Sequence, residues 1–330
     1  GSIPTSWDET DVTKDAGEQD LAETPDKLVD AIPMGDSLII YKERSCYSMR
    51  FVGAPFIFQF QRIRGDYGML AKGCGVDTPL GHVVLTAGDV VLNNGQSIQS
   101  IADGQVRRFI FNNINTSNSK RAFVTSNPQK NEVLVCFPWG DATACTKAAV
   151  WNWDSKTWGM RDLNNVTYGD TGMIDDLYTG SWASDTESWS LDTTEWNENE
   201  YSPNESRLLL SELTRISAFD VSAGDDGVTN ITGSLERTGM TMDDPYTNKL
   251  VRAVYPRIDA PNGTVVTVQV GGSMNPDQAP TWSAPVSFTV GQSVKADSFA
   301  SGRFLSIRLS ASAPWRMRSF DLDIVPSGAY

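Results

Sequence analysis

The chain has 330 residues, enough for two domains, because single hydrophobic cores stop growing at about 250–300 residues. It carries 41 acidic and 27 basic residues, and the resulting net charge of −14 repels phosphate, which argues against sequence-specific nucleic-acid binding. No apolar run reaches the roughly 18 residues of a spanning helix, and no signal-peptide pattern opens the chain. We therefore predict neither a membrane-spanning segment nor export.

Residues 1–35 are polar and predict an irregular N-terminal segment, with one short helix over 25–31. Gly1-Ser2 resembles the remnant of a cleaved tag, which predicts that the natural chain begins earlier and that this segment is truncated.

Between residues 36 and 229, short strand patterns recur in modules of about 40 residues. Apolar and polar residues alternate over 56–63, which is the period of a half-buried strand. Asn94-Gly95 stands between two strand patterns and predicts a type I′ hairpin turn with both residues at positive φ. Such a repeat is typical of propeller blades or a comparable array.

Residues 230–330 contain four further alternating patterns, at 265–270, 286–290, 304–309 and 320–324. Clusters of Pro, Asn, Asp and Gly separate them, as expected for an antiparallel β-sandwich. The predicted fold class is therefore all-β, with propeller-type blades over 36–229 followed by a β-sandwich over 230–330.

Few residues point to chemistry. His82 is the one histidine and lies in an apolar strand pattern, which favours a structural role. Metalloprotease, P-loop and dinucleotide-binding motifs do not occur in the sequence. The segment 222–229 approaches a sialidase box but has one residue too many and is followed by Asn230 where that box has Trp. We assign no catalytic residue, no cofactor and no metal site, and predict that the protein is not an enzyme.

Two sets of side chains leave alternatives open. Four aspartates could hold Ca²⁺ but lack the spacing of a calcium loop, so solvated turns are favoured; they are Asp225, Asp226, Asp243 and Asp244. The cysteines show no CxxC spacing, which favours buried free thiols, with a Cys136–Cys145 bridge as the alternative.

Residues 170–206 combine acidic residues, Ser and Thr with Trp182, Trp189 and Trp196 at a spacing of seven. Their composition favours strands and turns over a helix. The three tryptophans are our candidate interface with a neighbouring subunit or a fibre, because aromatic residues dominate interface energetics. Local packing is the alternative, and stacking on carbohydrate beside a carboxylate pair is a third.

Several short sequence segments occur in a characteristic order along residues 35–325. The segments are 35–42, 49–53, 56–58, 81–84, 89–90, 94–95, 99–104, 107–108, 127–128, 130–133, 149–152, 157–158, 301–307 and 314–316. In this order they resemble the tail nozzle (tubular tail) proteins of short-tailed bacteriophages, whose members carry a longer region before this point.

The resemblance implies a structural protein of the virion tail, made in the host cytoplasm and assembled as a ring, usually of six copies. It implies contacts with the portal and adaptor complex and with tail fibres or spikes, and non-specific passage of double-stranded DNA through the lumen. An acidic lumen would repel phosphate and reduce friction. The rival hypotheses are a carbohydrate-binding or glycan-hydrolysing virion module and a bacterial surface adhesin.

Overall fold

The computed structural model describes residues 17–53, 56–173, 206–220, 224–225 and 229–329. In this part of the chain nearly all regular structure is β-strand, arranged in several antiparallel sheets, so the all-β class is confirmed. The chain divides into two units, Gly1–Phe219 and Asp220–Tyr330, and the predicted boundary at 229–230 lies slightly later. No helix in the described ranges has the length and apolar character needed to cross a lipid bilayer.

The first sheet is a four-stranded antiparallel meander in chain order. Its strands are β1 (Leu28–Met34), β2 (Ser37–Lys42), β3 (Cys46–Phe51) and β4 (Phe58–Arg62). The helix predicted over 25–31 is wrong, as is an irregular segment reaching residue 35. Gly35, with φ of 56°, closes a tight hairpin, and pairing with β2 at Leu28 and over residues 30–34 satisfies backbone groups that a short helix would leave free at its ends.

The second sheet repeats this arrangement. Its strands are β5 (Gly75–Thr78), β6 (Gly81–Leu85), β7 (Val90–Asn93) and β8 (Ile98–Ser100). The hairpin predicted at Asn94-Gly95 exists, but the type I′ turn is wrong, because only Gly95 has positive φ. The Asn94 side-chain oxygen accepts hydrogen bonds from the backbone N–H groups of Gln96 and Ser97, which holds a wider turn.

The third sheet is again a four-stranded meander. Its strands are β9 (Phe123–Asn127), β10 (Glu132–Phe137), β11 (Cys145–Asn152) and β12 (Thr157–Val166). Helix α1 (Gly104–Phe111) precedes it, capped by the Asp103 carboxylate, and 3₁₀ turns occupy Thr116–Arg121 and Pro128–Lys130. A three-stranded sheet ends the unit, formed by β13 (Tyr168–Met173), β14 (Ser206–Ser211) and β15 (Ile216–Ala218).

One hydrophobic cluster joins the first three sheets and the helix. It includes Tyr41 of β2, Val84 of β6, Ile110 of α1 and Val135 of β10, each almost fully buried. A second cluster lies where β9–β12 meet β14. One face of each meander packs in these clusters, so the burial of apolar surface holds the successive sheets together in one unit.

The second unit contains a five-stranded and a three-stranded antiparallel sheet. Its elements are the short pair β16 (Gly224–Asp225) and β17 (Thr229–Asn230), then β18 (Gly233–Met240), β19 (Thr247–Asp259), β20 (Val265–Ser273), β21 (Thr281–Trp282), β22 (Val286–Thr289), β23 (Ala296–Gly302), β24 (Phe304–Ala311) and β25 (Arg316–Ala329). The larger sheet has the order β18-β24-β20-β21, with β22 also paired to β20, and the smaller sheet has the order β23-β19-β25. All four strand patterns predicted from the sequence fall in strands.

Both sheets of this unit contribute to one hydrophobic cluster, which contains Val268 and Ile307 from the larger sheet and Val254 from the smaller one. At one corner the two backbones meet directly. A Cβ atom placed on Gly272 would lie 2.1 Å from the carbonyl oxygen of Ser301, and one on Gly302 would lie 2.7 Å from the backbone nitrogen of Ser273. Only glycine fits at these two positions.

Candidate functional site

His82 lies on β6 with its side chain fully buried. Its Nε2 lies 3.0 Å from the carbonyl oxygen of Pro33 and donates to it, so Nδ1 accepts from the Tyr41 hydroxyl, also at 3.0 Å. The Asn93 amide donates to that hydroxyl at 2.9 Å. Burial lowers the pKa of His82, which keeps the imidazole neutral. The predicted structural histidine is confirmed.

Lys42 is a buried cation at the end of β2. Its Nζ donates to the carbonyl oxygens of Thr24 and Leu21 and to the Thr24 hydroxyl, and lies 3.4 Å from Asp26 Oδ1. Burial raises the pKa of Asp26, but hydrogen bonds from Thr24, the Arg44 N–H and Ser45 outweigh it and hold that pKa well below its usual range. These contacts fix residues 21–26 against β2 and leave neither charge free for a ligand.

Asp89 and Arg107 form a third internal polar contact. The Asp89 carboxylate is mostly buried and accepts from Arg107 Nη2 at 2.8 Å and from Nε at 3.2 Å. The Ser100 hydroxyl and the Val90 N–H also donate to it. This two-pronged ion pair attaches α1 to the second sheet and has a structural role.

The four cysteines are free and buried, as predicted, and the alternative Cys136–Cys145 bridge is not formed. Burial raises the pKa of Cys46, Cys74 and Cys145 to about 12, and that of Cys136 well above its ordinary value. Thiols held protonated in this way are poor nucleophiles and poor metal ligands.

Of the four aspartates predicted to lie in turns, Asp243 and Asp244 do so, whereas Asp225 lies in the short strand β16. Asp244 accepts hydrogen bonds from the backbone N–H groups of Tyr246 and Thr247, and Asp243 has φ of 65°. Asp226 lies outside the described residues. Among the residues that are described, no three His, Cys, Asp or Glu side chains gather as a metal site would require.

The β3–β4 hairpin exposes a group of apolar side chains at its end. Phe51 pairs with Phe58 across the strands, their rings 5.7 Å apart in an edge-to-face arrangement. Phe51 is 61% exposed and Phe56 is 78% exposed. We call Phe51, Val52, Phe56 and Phe58 the hairpin apolar tip. Exposed aromatic residues grouped in this way are typical of a contact surface.

A cavity of about 310 Å³ lies beside β9 and β13. Lys72, Lys120 and Arg121 line it together with the aromatic pair Phe123 and Tyr168, whose ring centres are 5.8 Å apart. Arg121 donates to the carbonyl oxygen of Thr143, so part of its bonding capacity is used within the fold.

The candidate interface tryptophans Trp182, Trp189 and Trp196 lie outside the described residues. Sequence reasoning identified β4 as a strand but missed the hairpin apolar tip, although Phe51, Phe56 and Phe58 were visible as flanks of one turn. Neither a protein-family model nor a curated protein sequence matches the chain.

Proposed function

We propose that this protein is a structural subunit of the tail nozzle of a short-tailed bacteriophage, located in the virion tail after synthesis in the host cytoplasm. The observation that carries the proposal is the succession of three four-stranded antiparallel meanders, each with strands in sequential neighbour order. That is the strand arrangement of a propeller blade. In this proposal β1–β12 form blades, and the two sheets of the second unit form the closing β-sandwich.

Subunit contact in the proposed ring includes the hairpin apolar tip. A cluster of exposed phenylalanines gains free energy when a second copy removes it from water. Six copies is the number that the resemblance implies, with the portal and adaptor complex above and fibres or spikes alongside.

Catalysis is not part of the proposal. The buried histidine, lysine and aspartates that an enzyme could use are hydrogen-bonded within the fold. The ring instead guides double-stranded DNA, and part of the acidic excess of the chain faces the lumen, where it repels phosphate.

Mass photometry and negative-stain microscopy of the protein, alone and mixed with a portal–adaptor complex, test the proposal. We expect closed rings that bind coaxially to that complex. A protein that stays monomeric at every concentration and never binds the complex would contradict it.

The alternative is a carbohydrate-binding or glycan-hydrolysing virion module. Hydrolysis requires two carboxyl groups about 5–10 Å apart across a cleft. The cavity beside β9 and β13 is lined by basic and neutral side chains without a carboxylate, which favours binding over hydrolysis. Release of reducing sugar from host polysaccharide would support the hydrolytic alternative.

A further inference from the structure

A second cavity, of about 370 Å³, opens between the first sheet and the β7–β8 turn. We call it the arginine–glutamine cleft. Its polar lining consists mainly of Arg50, Arg62, Arg64, Gln59, Gln61 and Gln96. Its volume falls in the range of about 300–1,000 Å³ that is usual for small-molecule sites.

The pairing of β3 with β4 builds one wall of the cleft. Arg50 stands opposite Gln59, and Ser48 stands opposite Gln61. Because side chains two residues apart lie on the same face of a strand, these four polar groups share the face opposite Phe51 and Phe58. Gln96, from the β7–β8 turn, contributes the facing wall.

The arginines of the cleft have little compensating charge. Arg50 Nε donates to the neutral Ser37 hydroxyl at 3.3 Å, and Arg62 pairs with Asp66, a side chain that is 92% exposed. No carboxylate in the described part of the chain lies within 4.0 Å of the Arg64 guanidinium. Arg62 stands opposite Tyr47 on the other face of the strand pair, so Arg50 and Arg64 supply most of the positive charge of the cleft. In a protein with net charge −14, this charge makes the cleft a local site that attracts anions.

We propose that the arginine–glutamine cleft binds an anionic saccharide, a sugar that carries a carboxylate or a phosphate. Guanidinium groups match the two oxygens of such an anion with paired donors. Glutamine amides both donate and accept, which suits sugar hydroxyls. Duplex DNA fits less well, because protein–DNA interfaces are extended surfaces of roughly 1,000 Å² or more, and the overall charge opposes it. This is binding without bond cleavage and does not depend on ring assembly.

Isothermal titration of the whole protein with tetragalacturonate, glucose 6-phosphate, maltotetraose and a 20-base-pair DNA duplex tests the proposal. Tetragalacturonate carries carboxylates and glucose 6-phosphate carries a phosphate, so these two probes show which anionic group the cleft binds. We expect at least one of these anions to bind, and neutral maltotetraose to bind at least about tenfold more weakly. Raising the salt concentration should weaken the binding.

The double variant Arg50→Gln/Arg64→Gln should bind the anion at least about tenfold more weakly. Arg108→Gln/Arg237→Gln removes the same charge elsewhere and should change the affinity less than about twofold. Gln61→Glu keeps side-chain size, places a carboxylate among the arginines and should abolish binding. Thermal melting of each variant separates loss of binding from loss of folding.

The proposal is overturned if neither anion binds, if maltotetraose binds equally well, or if the control pair loses as much affinity as the cleft pair. Tighter binding of duplex DNA that disappears in the cleft variant would assign the cleft to nucleic acid and would overturn it too.

Discussion

The Tyr41 hydroxyl donates to His82 Nδ1 across 3.0 Å, although the two residues are 41 positions apart in the chain. Tyr41 belongs to the first sheet and His82 to the second. Asn93 and the carbonyl of Pro33 complete a chain of hydrogen bonds that crosses between these sheets. Burial raises the pKa of Tyr41 and lowers that of His82, so both side chains stay neutral near neutral pH. Each hydrogen bond of the network therefore keeps the same donor and the same acceptor.

This network predicts a dependence of stability on pH. The folded pKa of His82 lies below its ordinary value of 6.5, so the unfolded chain takes up the proton first. The contribution of His82 is fully present above pH 6.5 and is lost as pH falls toward the folded pKa, by at most about 1.4 kcal/mol per pH unit.

Urea unfolding at pH 7.5, 6.5 and 5.5 measures this effect. His82→Gln should be less stable at pH 7.5 but should lack the histidine-dependent decline. Asp26 does not interfere, because its stabilising contribution is lost only below its ordinary pKa of 3.8. Parallel pH profiles for the two proteins would show that His82 is not the titrating group.

The ion pair that attaches α1 to the second sheet predicts that two adjacent arginines differ in their contribution to stability. Arg107→Ala leaves the mostly buried Asp89 carboxylate without its charged partner and should lower the free energy of unfolding by about 2 kcal/mol. Arg108→Ala removes an exposed side chain whose Nε donates to the Gly104 carbonyl oxygen of the same helix, and should cost less than about 0.5 kcal/mol. Chemical denaturation compares them, and equal losses would argue against the ion pair as the attachment.

The close packing around Gly68 predicts that one added carbon atom would strongly destabilise the fold. A Cβ there would lie 2.2 Å from the carbonyl oxygen of Lys42 and 2.4 Å from the backbone nitrogen of Arg44. Backbone atoms cannot move aside cheaply, so Gly68→Ala should cost about 3 kcal/mol or more. Gly88→Ala, with open space around the position, is the matched control and should be neutral or slightly stabilising. Thermal melts of both variants give the comparison, and a mild effect at Gly68 would contradict the packing.

The hairpin apolar tip predicts a role in assembly that is separate from folding. Phe51→Ser should prevent ring formation while leaving the melting temperature nearly unchanged, because Phe51 is 61% exposed. Phe299→Ser replaces an aromatic residue of the second unit that is 63% exposed, and should leave rings intact. Mass photometry provides the readout. Intact rings in the Phe51 variant would exclude the tip from the interface.

Local patterns predicted most strands of this protein, since alternation in 265–324 reports which side chains face a core. Over 56–63 the alternation predicted the strand but not its burial, because Phe56 and Phe58 are exposed. Local patterns did not predict β1, because its pairing with β2 depends on a turn at Gly35 and not on its own composition. They also did not predict the arginine–glutamine cleft. Its walls come from β3, β4 and a turn more than thirty positions later, and only the packing of two sheets brings them together.

Gly272 and Gly302 allow peptide groups from β20 and β23 to meet with no side chain between them. Rotamer changes therefore cannot relieve a load at this corner, and neither strand can shift past the other without forcing two backbones into overlap. The second unit thus contains a mechanical stop, at which force on one sheet passes directly to the other.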